Sequence, residues 1–206
     1  MGKSGVNMVV IDLGDAVRYQ RHPEIAVNGA WSVARLKQEL RRIRSLGIEP
    51  IPKLNFSAGH DTWMKEYSKM VSTDEYYRFC SDMIAEVCSI FDRPRLFHIG
   101  MDEEGYNMQR TYKHVVVRKN EAWWNDFMFL VKECERRHAR AWLWPDYMLW
   151  HQPDQFFSKM PKSVLQSNWY YDEEFNPEWD MVRQYIDLEK HGYDQIPTGS
   201  YHFENP

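Results

Sequence analysis

Apolar positions along this chain recur at two spacings, and the spacings alternate. Residues 6–13 (VNMVVIDL) form a short β-branched run of strand character. Residues 31–47 (WSVARLKQELRRIRSLG) place Leu36, Leu40 and Ile43 on one helical face, with Ser32 as the expected N-cap and Gly47 as the stop. Residues 48–56 (IEPIPKLNF) read as a strand made irregular by its prolines. Residues 72–91 (STDEYYRFCSDMIAEVCSIF) open with Ser72 and Glu75 in capping-box spacing, and Phe79, Met83, Val87 and Phe91 then mark a helical stripe. The same alternation continues through a strand at 95–101, a helix at 121–138, a strand at 139–145, a shorter helix near 153–160, a strand at 163–169, a helix at 177–192 and a last strand at 195–203. About six strands separated by helices predict a parallel sheet with right-handed crossovers. No linker or low-complexity segment interrupts the pattern, so residues 1–206 are expected to form a single domain.

Two parallel architectures meet this description, and the strand ends distinguish them. A doubly wound nucleotide-binding sheet calls for a glycine-rich turn after its first strand, and DLGDAV is not one. A (β/α)8 barrel instead collects functional side chains at the C-terminal ends of several strands. Here those ends carry Asp12, Asp15 and Arg18; Asn55 and His60; Asp102 and Glu103; Trp142, Trp144 and Asp146; Trp169, Tyr170, Tyr171 and Asp172; and Tyr201 and His202. The expected class is therefore α/β, of the TIM-barrel type. It is partial, with about six β/α units visible.

Composition narrows the function. A net charge of −4 lacks the basic surplus of a nucleic-acid binder. No apolar run reaches the ~20 residues of a membrane span, so neither a nucleic acid nor a membrane is an expected partner. Nine tryptophans and twelve tyrosines suit a filled core slightly better than a pocket that stacks sugar rings. Cys80 and Cys88 sit eight apart on one predicted helix, about 12 Å of rise, which is too far for a disulfide. With no CxxC, all three cysteines read as buried thiols. MGKSG is too short for a phosphate loop, and no cofactor is expected. His98, Asp102, Glu103 and His60 could approach one another, but no HExxH accompanies them and no metal is expected. EAWWNDFMF reads as core packing, and WYYDEEFNPEW as either a loop or a substrate contact.

The stretch LFHIGMDEEGYN (96–107) carries the sharpest signal, because an apolar strand runs directly into Asp102, Glu103 and Glu104. Crowded carboxylates raise one another's pKa, and an apolar wall raises it further. A glutamate kept protonated near neutrality is a general acid, as cleavage of a glycosidic bond requires. HIGMDEE resembles the His-x-Gly-Gly-Asp-Glu motif of glycoside hydrolase family 20, the β-N-acetylhexosaminidases. IPKLNFSAGH, NMVVIDLGDAVRY and ARAWLWPDYM resemble three further motifs of that family, in the same order and at similar spacing.

The resemblance implies a carbohydrate substrate and a substrate-assisted retaining hydrolysis of terminal β-linked N-acetylhexosamine. Glu103 falls on the general acid/base, and Asp102 on the residue that orients the 2-acetamido group. Arg18 would grip sugar hydroxyls and His60 is the motif histidine. Trp142, Trp144 and Trp169 are candidate pocket walls, Asp146 is the acid after the tryptophan strand, and Tyr171 or Tyr201 would bond the acetamido oxygen. The chain departs from the family at Met101 for a glycine, at Lys53 and Asn55 for Glu and Asp, and at Asp12 for His. The first and last barrel strands are expected to be missing, which leaves three alternatives: a fragment, a truncated gene product, or a compact variant whose exposed edges are covered by another chain, as in a homo-oligomer. By resemblance a secreted or periplasmic location fits, although MGKSGVNMVV has no signal-peptide core. Two rivals stand beside this reading. One is a two-carboxylate glycosidase pairing Glu103 with Asp12, Asp146 or Asp172; the other is a non-catalytic carbohydrate-binding protein.

Overall fold

The structure, a computed structural model, describes residues 5–151 and 153–200. The strands are β1 (Met8–Asp12), β2 (Val17–Arg18), β3 (Trp31–Ser32), β4 (Glu49–Lys53), β5 (Leu96–Gly100), β6 (Arg140–Leu143) and β7 (Leu165–Gln166). The helices are α1 (Val33–Ser45), α2 (Asp74–Ile90), α3 (Glu121–Glu135), α4 (Tyr147–Trp150), α5 (Pro153–Lys159) and α6 (Asp180–Lys190). The main sheet runs β1-β4-β5-β6-β7 with every pair parallel. Bridges from Gln166 to Gln195 and from Trp169 to Thr198 add a sixth parallel segment beside β7. Each new strand is laid on the same side of the last, so the order never reverses. That winding belongs to a barrel wall and not to a doubly wound sheet. Tyr201, His202 and the end of the expected last strand lie outside the described residues.

Side chains on the two faces of the sheet enter two separate cores. Phe97, Ile99 and Leu143 point outward and pack with Leu40, Phe79, Met83, Val87, Phe127 and Leu130 of the helices. Ile51, Leu96, Trp142 and Leu165 point inward, with Met8, Val10 and Ile196 half-buried around them. β5 is buried at all five positions, as a parallel strand covered on both faces should be. The pairing also aligns Asp12, Lys53, His98, Trp142 and Leu165 in one row across the inner face. This row is a floor, and the chain emerges from it into the loops that carry the acids.

Local chemistry sets the helix starts. Ser32 Oγ accepts the Arg35 N–H of α1 at 3.2 Å. The cap of α2 is one residue later than expected: Thr73 Oγ1 accepts from Tyr76 N at 3.3 Å. Ser72 is instead turned to φ 63° and donates its hydroxyl to the buried Asp126 at 2.8 Å. Asp126 also accepts from Tyr77 at 2.5 Å, so the demand of a buried carboxylate for donors outcompetes the capping box. The β2–β3 ribbon, α4 and a 3-10 segment at Asp61–Lys69 are further elements that periodicity does not announce. The three cysteines are buried and unpaired. No helix among the described residues is long and apolar enough to cross a membrane.

Gly100, at φ 77°, closes β5 where a Cβ would overlap Asn55 Oδ1 and come within 2.9 Å of Asn55 Cα. Gly100→Ala combines that overlap with left-handed strain, and should cost about 3 kcal/mol or more. Thermal denaturation measures it; a loss below about 1 kcal/mol would show that the two loops can move apart freely.

Candidate active site

The acid loop leaves β5 through an unusual backbone. Gly100, Met101 and Glu103 all have left-handed φ, at 77°, 76° and 52°. Such angles cost of order 1 kcal/mol or more in a non-glycine residue, and neighbouring structure must hold them. Met101 is held by its side chain, which is buried in the outer core. Glu103 is held at both ends of its backbone. Its N–H donates to Asp146 Oδ2 at 3.1 Å, and its carbonyl lies against Gly59, where a Cβ would approach the oxygen to 2.5 Å.

Each of the three acids has a different surrounding. Asp102 accepts from Asn55 Nδ2 at 2.8 Å on one oxygen, and its other oxygen is 3.4 Å from His60 Nε2. Its backbone carbonyl accepts the Ser57 hydroxyl. Glu103 places Oε2 3.0 Å from the same His60 nitrogen, with about a third of its side chain exposed. Glu104 turns the other way. It pairs with the buried Arg118 and accepts from Ala58 N at 3.0 Å. Arg118 in turn donates to the Phe56 carbonyl at 3.0 Å and lies 3.4 Å from Asp126. Glu104 is thus a buried tie between the loops after β4 and β5, while Asp102 and Glu103 converge on one imidazole.

Aromatic groups stand around that pair. Trp169 donates its indole N–H to Asp146 Oδ1 at 2.8 Å, and Tyr171 lies 5.3 Å from Trp169 between ring centroids. Burial first, then the charges of Asp102, Asp146 and Glu103, raise the Tyr171 hydroxyl above its ordinary pKa. Trp144 is half-buried; Gly100 accepts its backbone N–H at 2.9 Å, and Lys53 Nζ sits 6.0 Å from its ring centroid. Lys53 pairs with Asp12 at 2.8 Å. His98 is almost fully enclosed between Trp142 and Trp144, at 4.9 and 4.6 Å between centroids. Its Nδ1 accepts the Gly100 N–H at 3.0 Å, which puts the ring proton on Nε2. Desolvation, reinforced by Lys53, drives its pKa well below the usual value and keeps it neutral.

The structure therefore brings His60, Asp102, Glu103, Asp146, Trp169 and Tyr171 together, with Trp144 alongside. Trp142 is not a pocket wall: it is 4% exposed and packs in the inner core beneath His98. Asp146 is only 2% exposed, and both its oxygens are occupied by Glu103 and Trp169, so it supports the loop and does not face a ligand. Arg18 lies exposed on β2, and among the described residues its side chain makes no hydrogen bond or ion pair. Tyr112 and Arg118 lie in no motif, and they and Ser57, which sits inside IPKLNFSAGH, were not expected. His60, Asp102 and Glu103 each bring one ligand atom within 4.8 Å of the others, the one trio of metal-ligating type found among the described residues.

No protein-family model matches the chain, and no curated protein matches it in sequence. Solved structures do match. Flavobacterium johnsoniae chitobiase superposes with a TM-score of 0.67 at 19% identity, over 94% of this chain and 33% of that one. Streptomyces plicatus N-acetyl-β-hexosaminidase, solved with thio-NAglucal, gives 0.67 at 17%, over 95% of this chain and 42% of that one. The exo β-N-acetylglucosaminidase of Vibrio harveyi, solved with N-acetylglucosamine, gives 0.68 at 13%, over 97% and 37%. The fold is that of the family 20 barrels, in partial form, and the chain spans a third to under half the length of these three proteins.

Asp146 also makes stability depend on pH. Burial, opposed by its bonds from Trp169 and Glu103 and assisted by the charges of Asp102 and Glu103, pushes its carboxyl up to about 6 from 3.8. A raised carboxyl favours the folded state fully below its unfolded pKa, and that contribution is lost as pH rises through the folded value. Asp146→Asn cannot ionise and escapes the loss. Its melting temperature relative to wild type should therefore climb by about 5 °C between pH 4 and pH 7. A difference that stays flat across that range would contradict the raised carboxyl.

Proposed function

We propose that the chain is a glycosidase that releases terminal β-linked N-acetylhexosamine by a substrate-assisted, retaining reaction. The observation that carries this reading is the arrangement of Glu103 and Asp102, adjacent in sequence, on one histidine, both partly exposed and close enough to Tyr171, which packs on Trp169, for their charges to act on its hydroxyl. The left-handed turn at Glu103 lets neighbouring side chains serve different parts of one sugar. Glu103, partly exposed and 3.0 Å from His60, is the proton donor to the departing glycosidic oxygen. Asp102 accepts the N–H of the 2-acetamido group, so that the acetamido oxygen attacks the anomeric carbon and the substrate supplies its own nucleophile. Glu103, now ionised, then removes a proton from the water that opens the cyclic intermediate.

Asn55 fits this division of labour. It donates a neutral amide to Asp102 at 2.8 Å where the family motif has an acid, and so holds the carboxylate without adding a third negative charge. The two-carboxylate alternative needs a free partner roughly 5–9 Å from Glu103. Asp146 is close, but both its oxygens are engaged, and Asp12 is paired with Lys53. Asp172, the third candidate, is exposed and accepts the Glu173 N–H at 2.7 Å, and the commitments of Asp146 and Asp12 favour the substrate's amide as the nucleophile.

The test is a panel of aryl β-glycosides with and without a 2-acetamido group, assayed on wild type and on Glu103→Gln. Turnover should be confined to the N-acetylhexosaminides and fall about 10²–10⁴-fold in the variant. Asp102→Asn should lose rate comparably, and a thiazoline mimic of the cyclic intermediate should compete with substrate. Unchanged activity in Glu103→Gln removes the acid assignment. Equal turnover of glycosides lacking the amide removes the substrate-assisted step, and sugar binding without any turnover leaves a binding protein.

A further inference from the structure

His60, Asp102 and Glu103 have the donor set and the spacing of a cation site. His60 Nε2 lies 3.0 Å from Glu103 Oε2 and 3.4 Å from Asp102 Oδ2, and one ligand atom from each residue falls within 4.8 Å of the others. Zinc bonds histidine nitrogen and carboxylate oxygen at about 2.0–2.2 Å, so two ligands of a tetrahedral ion stand about 3.4 Å apart. Both histidine–carboxylate separations are at that length or just under it. The three side chains are 39%, 19% and 32% exposed in the order His60, Asp102, Glu103, so an ion reaches them from solvent and can keep a water as its fourth ligand.

Partners behind the trio hold it in place. Asn55 Nδ2 donates to the other Asp102 oxygen at 2.8 Å, which leaves Oδ2 for His60. The Glu103 backbone is pinned by Asp146 and by Gly59. Outer partners of this kind orient the ligands of a metal ion. The charge balance is a separate observation. Lys53, Lys65 and Arg118 are each committed to another carboxylate, on Asp12, Asp15 and Glu104. Among the described residues no lysine or arginine pairs with Asp102 or Glu103. Their negative charge reaches the neighbours: beyond the effect of burial, it helps to raise both the Asp146 carboxyl and the Tyr171 hydroxyl. One imidazole offers at most one hydrogen at Nε2 to the two acids, whereas a divalent ion in that place answers both charges. The ring nitrogen in the donor set selects the ion, because imidazole suits zinc and copper while magnesium and calcium take oxygen ligands.

We propose that His60, Asp102 and Glu103 bind a divalent cation of the zinc type, and that the bound ion inhibits the site reversibly. The ion is a blocker and not a cofactor: it takes the Glu103 oxygen that would carry the proton and the Asp102 oxygen that would meet the sugar's amide. Binding stands on the geometry of the trio alone, and the inhibition rests on the glycosidase reading above.

The experiment is a calorimetric titration of the full chain with Zn²⁺, and with Mg²⁺ as the control, on wild type, His60→Ala and Glu103→Gln. Thermal melts confirm that the variants fold, and Glu103→Gln keeps the shape of the side chain while removing its charge. Wild type should bind Zn²⁺ in preference to Mg²⁺, and each variant should bind Zn²⁺ at least about tenfold more weakly. Equal Zn²⁺ affinity in wild type and both folded variants overturns the site, and Mg²⁺ binding as tight as Zn²⁺ overturns the class of ion. In the second arm, Zn²⁺ should slow wild-type turnover of an aryl N-acetyl-β-glucosaminide by raising KM, with activity restored by EDTA. Zn²⁺ bound at the trio with turnover unchanged overturns the inhibition. Absence of turnover in metal-free wild type overturns the glycosidase reading and the inhibition with it, while the titration still decides the site.

Discussion

The carbonyl of Glu103 rests directly on Gly59, and the loops after β4 and β5 are joined around that contact. Ser57 donates to the Asp102 carbonyl, Asn55 to the Asp102 carboxylate, and Ala58 to Glu104, while Arg118 clamps Glu104 and the Phe56 carbonyl together. None of these bonds involves the Glu103 carboxyl. They fix the backbone that carries it, so the position of the carboxyl does not depend on the carboxyl's own partners. The left-handed angles at Met101 and Glu103 are sustained by this lattice of contacts, and the strained turn in return sends consecutive acids in different directions.

A division of labour among carboxylates follows. Glu104 and Asp126 share a buried guanidinium and act as structure. Asp146 receives N–H groups from Glu103 and Trp169, so one buried carboxyl links the acid loop to the Trp169 indole. Asp102 and Glu103 alone remain turned toward His60 and partly toward solvent. The cost of placing three acids in succession is thereby spread. One is neutralised by Arg118, and the other two share the protons of an imidazole and an amide.

Much of the architecture was legible in the sequence because it depends on periodicity. Phe97 and Ile99 against Leu96 and His98 show the two-sided burial of a parallel strand, and Leu36 and Leu40 of the predicted stripe are the residues that α1 buries in the core. The acid pair and His60 were legible as motifs. What was not legible depends on groups distant along the chain. Ser72 could not be told from Thr73 as a cap without knowing that Asp126, 54 residues on, needs its hydroxyl. Trp142 and Trp144 look alike as strand-end tryptophans, and only the register with His98 shows that one is core and the other sits beside the rim. Arg118 has no local pattern at all, since its partners Glu104, Asp126 and the Phe56 carbonyl come from three separate segments. A left-handed methionine at position 101 is likewise invisible in composition, because side-chain type does not announce a backbone angle that tertiary packing enforces.

The neutral imidazole of His98 has a consequence for the electric field at the site. Beneath the rim lie a ring held neutral, the Trp142 indole, and a lysine paired with Asp12. The floor therefore carries little net charge, because the ring stays neutral and Lys53 and Asp12 offset each other. The field above it comes laterally, so its direction, and not only its strength, is set by where Asp102 and Glu103 stand.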